Sequence, residues 1–165
     1  MQTAEPQPVA LMNTIRADRT GRHDRLDRDD LRELRDALRR LAAEVTGDRR
    51  EAAASAIQDL QVAVDVVNRA CAKAPSWSQL TWPATRTTAT AHTQEEALVS
   101  TIAEEAVQLF TGPDRDNLRA CEGPGCVLYF VRNHPRRGWC SSECGNRARV
   151  ARHYRRHHPD KSSKA

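Results

Sequence analysis

Cys121 and Cys126 form a C-x4-C pair and Cys140 and Cys144 a C-x3-C pair, with 13 residues between the pairs. Thiolates are the preferred structural ligands of zinc, and a short loop lets two of them point inward together. Two disulfides would instead need an oxidising compartment. The opening MQTAEPQPVALMNTIRADR has neither the basic start nor the apolar core of an export signal, so the chain is expected in the cytoplasm. The pattern predicts one structural Zn2+ held by all four thiolates, with no open position for a reacting water. The apolar residues around it are few: Leu118, Val127, Tyr129, Phe130, Trp139 and Val150. Metal binding should then supply most of the local folding energy, roughly 10–16 kcal/mol on the zinc-finger scale. Loss of a ligand is expected to unfold residues 119–158 and leave the N-terminal helices standing.

The segments between the ligands suggest a shape. Gly123, Pro124 and Gly125 permit a tight knuckle inside the first pair, and Val127–Val131 reads as a strand. Asn133, His134, Pro135 and Gly138 supply a turn into Trp139 and Cys140. Ser141 or Ser142 can cap a helix whose first turn contains Cys144. Knuckle, hairpin and ligand-bearing helix form a treble-clef-like arrangement. Gly145 costs about 1 kcal/mol against Ala in a helix, so its place beside a ligand predicts a close backbone approach there.

That helix is strongly basic. Residues 119–165 hold 11 Lys or Arg against 3 Asp or Glu, whereas residues 1–118 hold 15 against 19. A helix with an arginine face suits the DNA major groove, because guanidinium groups pair with phosphates and with guanine edges. Arg147, Arg149, Arg152, His153, Arg155 and Arg156 are the candidate contacts on the helix. Val150, Ala151 and Tyr154 are expected to face the hairpin. Arg132, Arg136 and Arg137 could reach an adjacent phosphate strand, while Arg147, close to the metal, could instead brace Glu143 or the knuckle. His153 and His157 do not make a Cys2His2 finger, because the gap from Cys126 is too long and two cysteines intervene. A His-Asn-His nuclease built on His134 and Asn146 would lack a catalytic cation, because cysteines fill the metal's shell.

The elements upstream are mostly helical. Leu31, Leu34, Leu38, Leu41 and Val45 recur at helical spacing over Asp29–Val45, with Asp30 and Glu33 as a capping box and Gly47 as the stop. A second helix is expected from Arg50 to Ala72 along Ile57, Leu60, Val64, Val67 and Cys71. Ser76–His92 reads as one or two short strands turned at Pro83. Thr93 and Glu96 open a third helix with Leu98, Ile102, Val107 and Phe110 inward, ended by Gly112-Pro113. Arg16–Asp30, crowded with Arg and Asp, reads as a solvated loop. Leu, Val, Ile and Phe total 28 of 165 residues, which favours a small core helped by a metal or a partner. No apolar run is long enough to span a bilayer. The fold class expected is α+β, mostly helical, with an α-rich N-terminal domain carrying short strands and a C-terminal treble-clef-like finger.

The run Cys140-Ser141-Ser142-Glu143-Cys144-Gly145-Asn146-Arg147 resembles the CGNR zinc finger, named for the residues found here at 144–147. The resemblance extends from about Leu118 to His157. In such bacterial proteins the finger follows an ABATE domain, linked to stress-induced transcription regulation. Ala10-Leu11-Met12-Asn13-Thr14 is similar to that domain's opening strand. The resemblance implies an ABATE-like regulatory domain at 8–113, a CGNR-type finger at 118–158 and a disordered tail at 159–165. It also implies DNA binding by the finger and a small-molecule or protein signal at the N-terminal domain. The function expected is a non-enzymatic regulator that binds double-stranded DNA. The alternatives are an adaptor docking an acidic protein surface, and an RNA-binding protein, whose stacking aromatics would be tied up around the zinc. A homodimer is consistent with the thin core.

Overall fold

A computed structural model describes residues 5–18 and 21–157. The proposed tail at 159–165 and His158 lie outside the described residues. About half of the described chain is helical, the strands are short, and the class is α+β.

The chain opens with α1 (Gln7–Met12), whose last turn is closed by Asn13. Ala10–Thr14 is therefore helical up to Met12 and not a strand. The apolar run Val9–Met12 needs Val9, Leu11 and Met12 buried together, which a helical turn achieves and an alternating strand does not. β1 (Ile15–Asp18) and β2 (Gly21–Asp24) then form an antiparallel hairpin where a loop was expected. Only Ile15 of that hairpin is buried, against Ala53 and Val127, so alternation gave no signal in the sequence.

α2 (Asp29–Thr46) follows the expected stripe, and Gly47 ends it in the left-handed conformation with φ 67°. The capping box does not form: the N-cap is Arg28, and Asp30 pairs with the Arg28 guanidinium at 2.7 Å. The next helix, α3 (Leu60–Cys71), begins about ten residues later than expected, because the Asp59 carboxylate caps it by accepting from Val62 N. Its buried face is Ala63, Val66, Val67 and Ala70, while Leu60 and Val62 are exposed. β3 (Ser76–Thr81) and β4 (Thr85–Thr90) form the hairpin expected around Pro83. α4 (Gln94–Thr111) carries the predicted Thr93–Glu96 capping box in full, and Gly112 follows its last turn. Its inner face is rotated by about one residue from the expected one: Val99, Ile102, Ala103, Ala106 and Leu109 are buried, and Leu98 is exposed.

α2, α3 and α4 pack on one another, with α1 against α2 and α4. The finger then enters the same core. β5 (Leu118–Ala120) pairs antiparallel with β6 (Tyr129–Val131), and Leu118, Tyr129 and Val131 are buried among the helices. The expected strand Val127–Val131 is thus shortened to three residues. Asn13 acts as a further rung: its amide donates to Tyr129 O at 2.8 Å and its carbonyl accepts from Tyr129 N at 2.9 Å.

At the centre lies Arg39, fully buried on α2. Its Nη1 donates to Met12 O at 3.0 Å, its Nη2 to Ala53 O at 2.9 Å, and both reach Val127 O at 3.2 Å. The guanidinium also lies 5.3 Å from the centre of the Tyr129 ring. It joins α1, the 51–53 turn and the finger through their main-chain carbonyls. Arg39→Met should therefore lower stability by about 3 kcal/mol, the scale for stranding buried acceptors of a charged donor. Arg69→Met, at an exposed ion pair with Glu33, should change it by less than about 1 kcal/mol. Urea unfolding of the zinc-loaded protein reads both.

Candidate metal centre and basic helix

The β5–β6 hairpin places Cys121 and Cys126 at the two ends of its connecting knuckle, where Cys121 N bonds Leu128 O and Cys126 N bonds Gly123 O, both at 2.9 Å. The chain then turns at 134–137 and reaches Cys140, after which α5 (Ser142–His157) begins. Ser141 serves as the cap, its hydroxyl accepting from Cys144 N at 3.3 Å. Cys144 therefore lies in the first turn, buried, with its thiol directed at the other three.

The four Sγ atoms lie within 4.8 Å of one another, with Cys126–Cys140 at 3.7 Å and Cys140–Cys144 at 3.5 Å. A tetrahedral zinc with bonds near 2.3 Å requires sulfurs about 3.8 Å apart. The donor set is four soft sulfurs, and the cage matches that spacing. Without a cation, such crowding disfavours ionisation. The contact with Cys121 pushes the Cys126 thiol up to about 11 and drives Cys140 higher still, while Cys121, receiving those contacts, is lowered. A dication removes the conflict. The four cysteines form the zinc site, and the ion is structural because they complete its shell.

Close packing surrounds the cage. A Cβ on Gly123 would lie 2.9 Å from Cys144 Cβ, and one on Gly145 would lie 3.3 Å from the Trp139 ring. The close approach predicted at Gly145 is thus made to Trp139. Cys140 N donates to Cys121 Sγ at 3.4 Å, and Arg147 Nη2 donates to Cys144 Sγ at 3.0 Å. Arg147 thus braces a ligand directly. Arg137 is likewise drawn inward: it pairs with the Glu5 carboxylate, donates to Val131 O and Cys140 O at 3.0 and 3.2 Å, and covers the Phe130 ring.

A support that the sequence did not single out comes from the N-terminal half. Arg50 Nη1 donates to both Cys121 O and Cys126 O at 2.5 Å, clamping the two ends of the knuckle. Its other nitrogens grip Asp48, Nε to Oδ1 and Nη2 to Oδ2, both at 2.7 Å. Asp48 also accepts from the Tyr129 hydroxyl at 3.0 Å. Burial opposes ionisation of Asp48, but its hydrogen bonds with Arg50 and its neighbours outweigh this and hold the carboxyl below the usual range. An Arg preceding a coil reads as solvated in a sequence, so nothing there marked it.

Beyond its first turn α5 leaves the body of the protein. Cys144 and Gly145 are its buried residues, and Val150 and Tyr154 are 68% and 51% exposed. These two do not face the hairpin as expected. With Pro124, Arg147, Ala151 and Arg155 they line an open apolar groove of about 630 Å3. At about 100° per residue, Arg149, Arg152 and Arg156 fall on the opposite side of the helix, with His153 beside them. All four are exposed and border one shallow depression. Arg149 bonds the Asn146 side chain one turn earlier. Arg132 is half-buried and Arg136 exposed on the turn leading to Cys140, while Arg155 lies nearer the apolar groove.

The model of the ABATE family, described as "Putative stress-induced transcription regulator", matches residues 13–113, about three-fifths of the chain. The chain belongs to the ABATE family. Within it, the CGNR zinc finger model matches residues 117–157 and so takes in the cage, Arg147 and all of α5. Comparison with curated proteins finds no match. The ABATE match begins at Asn13 and includes Arg39, Asp48 and Arg50, the residues that hold the finger. No helix among the described residues is long and apolar enough to cross a membrane.

Two outcomes follow from the clamp. Purified protein should contain about one zinc per chain, and Cys140→Ser should lower the midpoint of the N-terminal helices as well as the finger, in one transition followed by circular dichroism. This reverses the expectation that those helices would stand alone. Arg50→Ala, which removes no ligand, should weaken zinc binding by about 10–100-fold, measured by competition with a chromophoric chelator.

Proposed function

We propose that this ABATE-family chain is a DNA-binding transcription regulator of the cytoplasm rather than an enzyme, and that the outer face of α5 is its DNA contact. The observation that carries this reading is the exposed row Arg149, Arg152, His153 and Arg156 on a helix whose buried residues, Cys144 and Gly145, lie at its zinc-bound end. A helix about 10–12 Å across fits the major groove. In this reading Arg132, Arg136 and, from the groove side of the helix, Arg155 would supply contacts to flanking phosphates. Arg137 and Arg147, also expected at the DNA, have inward partners and contribute by holding the finger rigid. The reading divides the chain into an ABATE regulatory part at 8–113 and a finger at 118–158. Between them a cleft of about 370 Å3 is lined by Asn13, Arg16 and Ala17 and, from the zinc centre, by Cys126, Cys140, Cys144 and Arg147; a small-molecule or protein signal bound at its mouth would touch both parts. The complete thiolate shell, with no position for a reacting water, supports a non-catalytic role.

The apolar groove beside Val150 and Tyr154, rimmed by Arg147 and Arg155, favours a second reading in which the finger docks an acidic protein surface. Salt dependence separates the two. Duplexes selected from a random pool should bind with a log–log salt slope of about −3 to −5, at roughly −0.9 per phosphate contact. Replacing Arg152 and Arg156 with Ala should flatten that slope by about 1–2 and leave the zinc content unchanged. Unchanged affinity and slope in the double variant would move the adaptor reading ahead.

A further inference from the structure

The β3–β4 ribbon is unlike the rest of the molecule. Every residue from Ser76 to Thr90 is exposed except Ala89, which is half-buried. Trp77, Leu80 and Trp82 are 51%, 74% and 83% exposed, and Trp82 and Leu80 are the two most exposed large apolar side chains among the described residues. A two-stranded ribbon with nothing packed on it is marginal in water and gains stability from a third strand or a covering surface. No other described strand pairs with either outer edge. The usual protections of a free edge are missing from β3, whose sequence SWSQLT holds no charge and no proline.

We propose that the β3 edge is a self-association surface, joining two copies of this chain through antiparallel β3–β3 pairing into a four-stranded sheet. Several observations select a second copy as the occupant. An unpaired strand edge is complemented by another strand edge, and a two-fold axis makes one edge its own complement. Charge agrees. From Ser76 to Ala91 the one ionised side chain is Arg86, whose backbone lies on β4 and whose Nε donates to Ser78 Oγ on β3 at 3.0 Å; β3 contributes no charge of its own to its outer edge, whereas a β4 seam would place the two arginine-bearing strands side by side. Area agrees as well. A two-fold normal to the sheet keeps Trp77 of both copies on one face and brings Trp82 of each to the Trp77 end of the other. Four such indoles cover about 600–1,000 Å2, and strands about 20 Å long add to this, approaching the ~1,200 Å2 of stable interfaces. The ribbon shares no residue with the cage or with α5, so this inference does not depend on the DNA reading.

Sedimentation equilibrium of the full-length, zinc-loaded protein tests it. A dimer is expected at micromolar concentration, with tryptophan quenching by acrylamide falling as the dimer forms. Gln79→Lys, which sets two ammonium groups near the two-fold, should raise the dissociation constant tenfold or more at unchanged zinc content and circular dichroism. Trp82→Ser should do the same by a different route, loss of apolar cover. A chain that stays monomeric up to about 100 µM, weaker than specific pairing provides, overturns the proposal. A dimer indifferent to both substitutions overturns it too, and its loss on Val150→Glu would place the contact on α5 instead.

Discussion

Arg39 is a buried guanidinium whose hydrogen bonds all go to main-chain carbonyls, from Met12, Ala53 and Val127. Burial pulls its pKa down, and no carboxylate bonds it in return. Such a group is costly to place in a core, and the arrangement persists only because three separate stretches of chain present acceptors together. One of those stretches belongs to the finger. The helical module therefore completes its polar interior with a carbonyl of the finger, the one at Val127 beside the knuckle. Arg50 repeats the connection nearer the metal by gripping the carbonyls of two ligand residues. The zinc site and the ABATE helices thereby share polar contacts and one small core, enlarged by Leu118, Tyr129 and Val131.

This explains why α5 can project so far. A helix pinned at one end needs a rigid base, and the base here is not the finger alone. Trp139 lies against Gly145, Arg137 ties the approach to Cys140 to Glu5, and Arg147 reaches back to Cys144. The body thus fixes the first turn and leaves the later turns exposed. The two sides of those turns differ in chemistry, basic on one and apolar on the other.

The cage was legible in the sequence because few residue types bind zinc and their spacing constrains the loops between them. The Thr93–Glu96 cap and the Gly47 and Gly112 stops were legible for the same local reason. The faces of α3 and α4 were not, since their centres are Ala63, Ala70, Ala103 and Ala106. Tracing the large apolar residues placed the stripes one position off. Arg39, Arg50 and Arg137 were unreadable individually: an arginine at a helix or loop position looks the same whether it is solvated or threaded through the core. The β1–β2 hairpin failed for a related reason, since only Ile15 is buried and its alternation has one term.

The hydrogen bond from Arg147 to Cys144 has an electrostatic consequence. Four thiolates around one dication leave the loaded cage with a formal charge of roughly −2, whereas four neutral thiols carry none. The metal-bound finger is therefore the more negative of the two forms at the foot of a positively charged helix. The Arg147 guanidinium and the partial positive end of α5 both point at this excess and offset part of it. Loading the metal thus sets up a dipole along the helix, anionic where it is anchored and cationic where it extends. The sign of that dipole makes the far end, not the anchored end, the electropositive end of the helix.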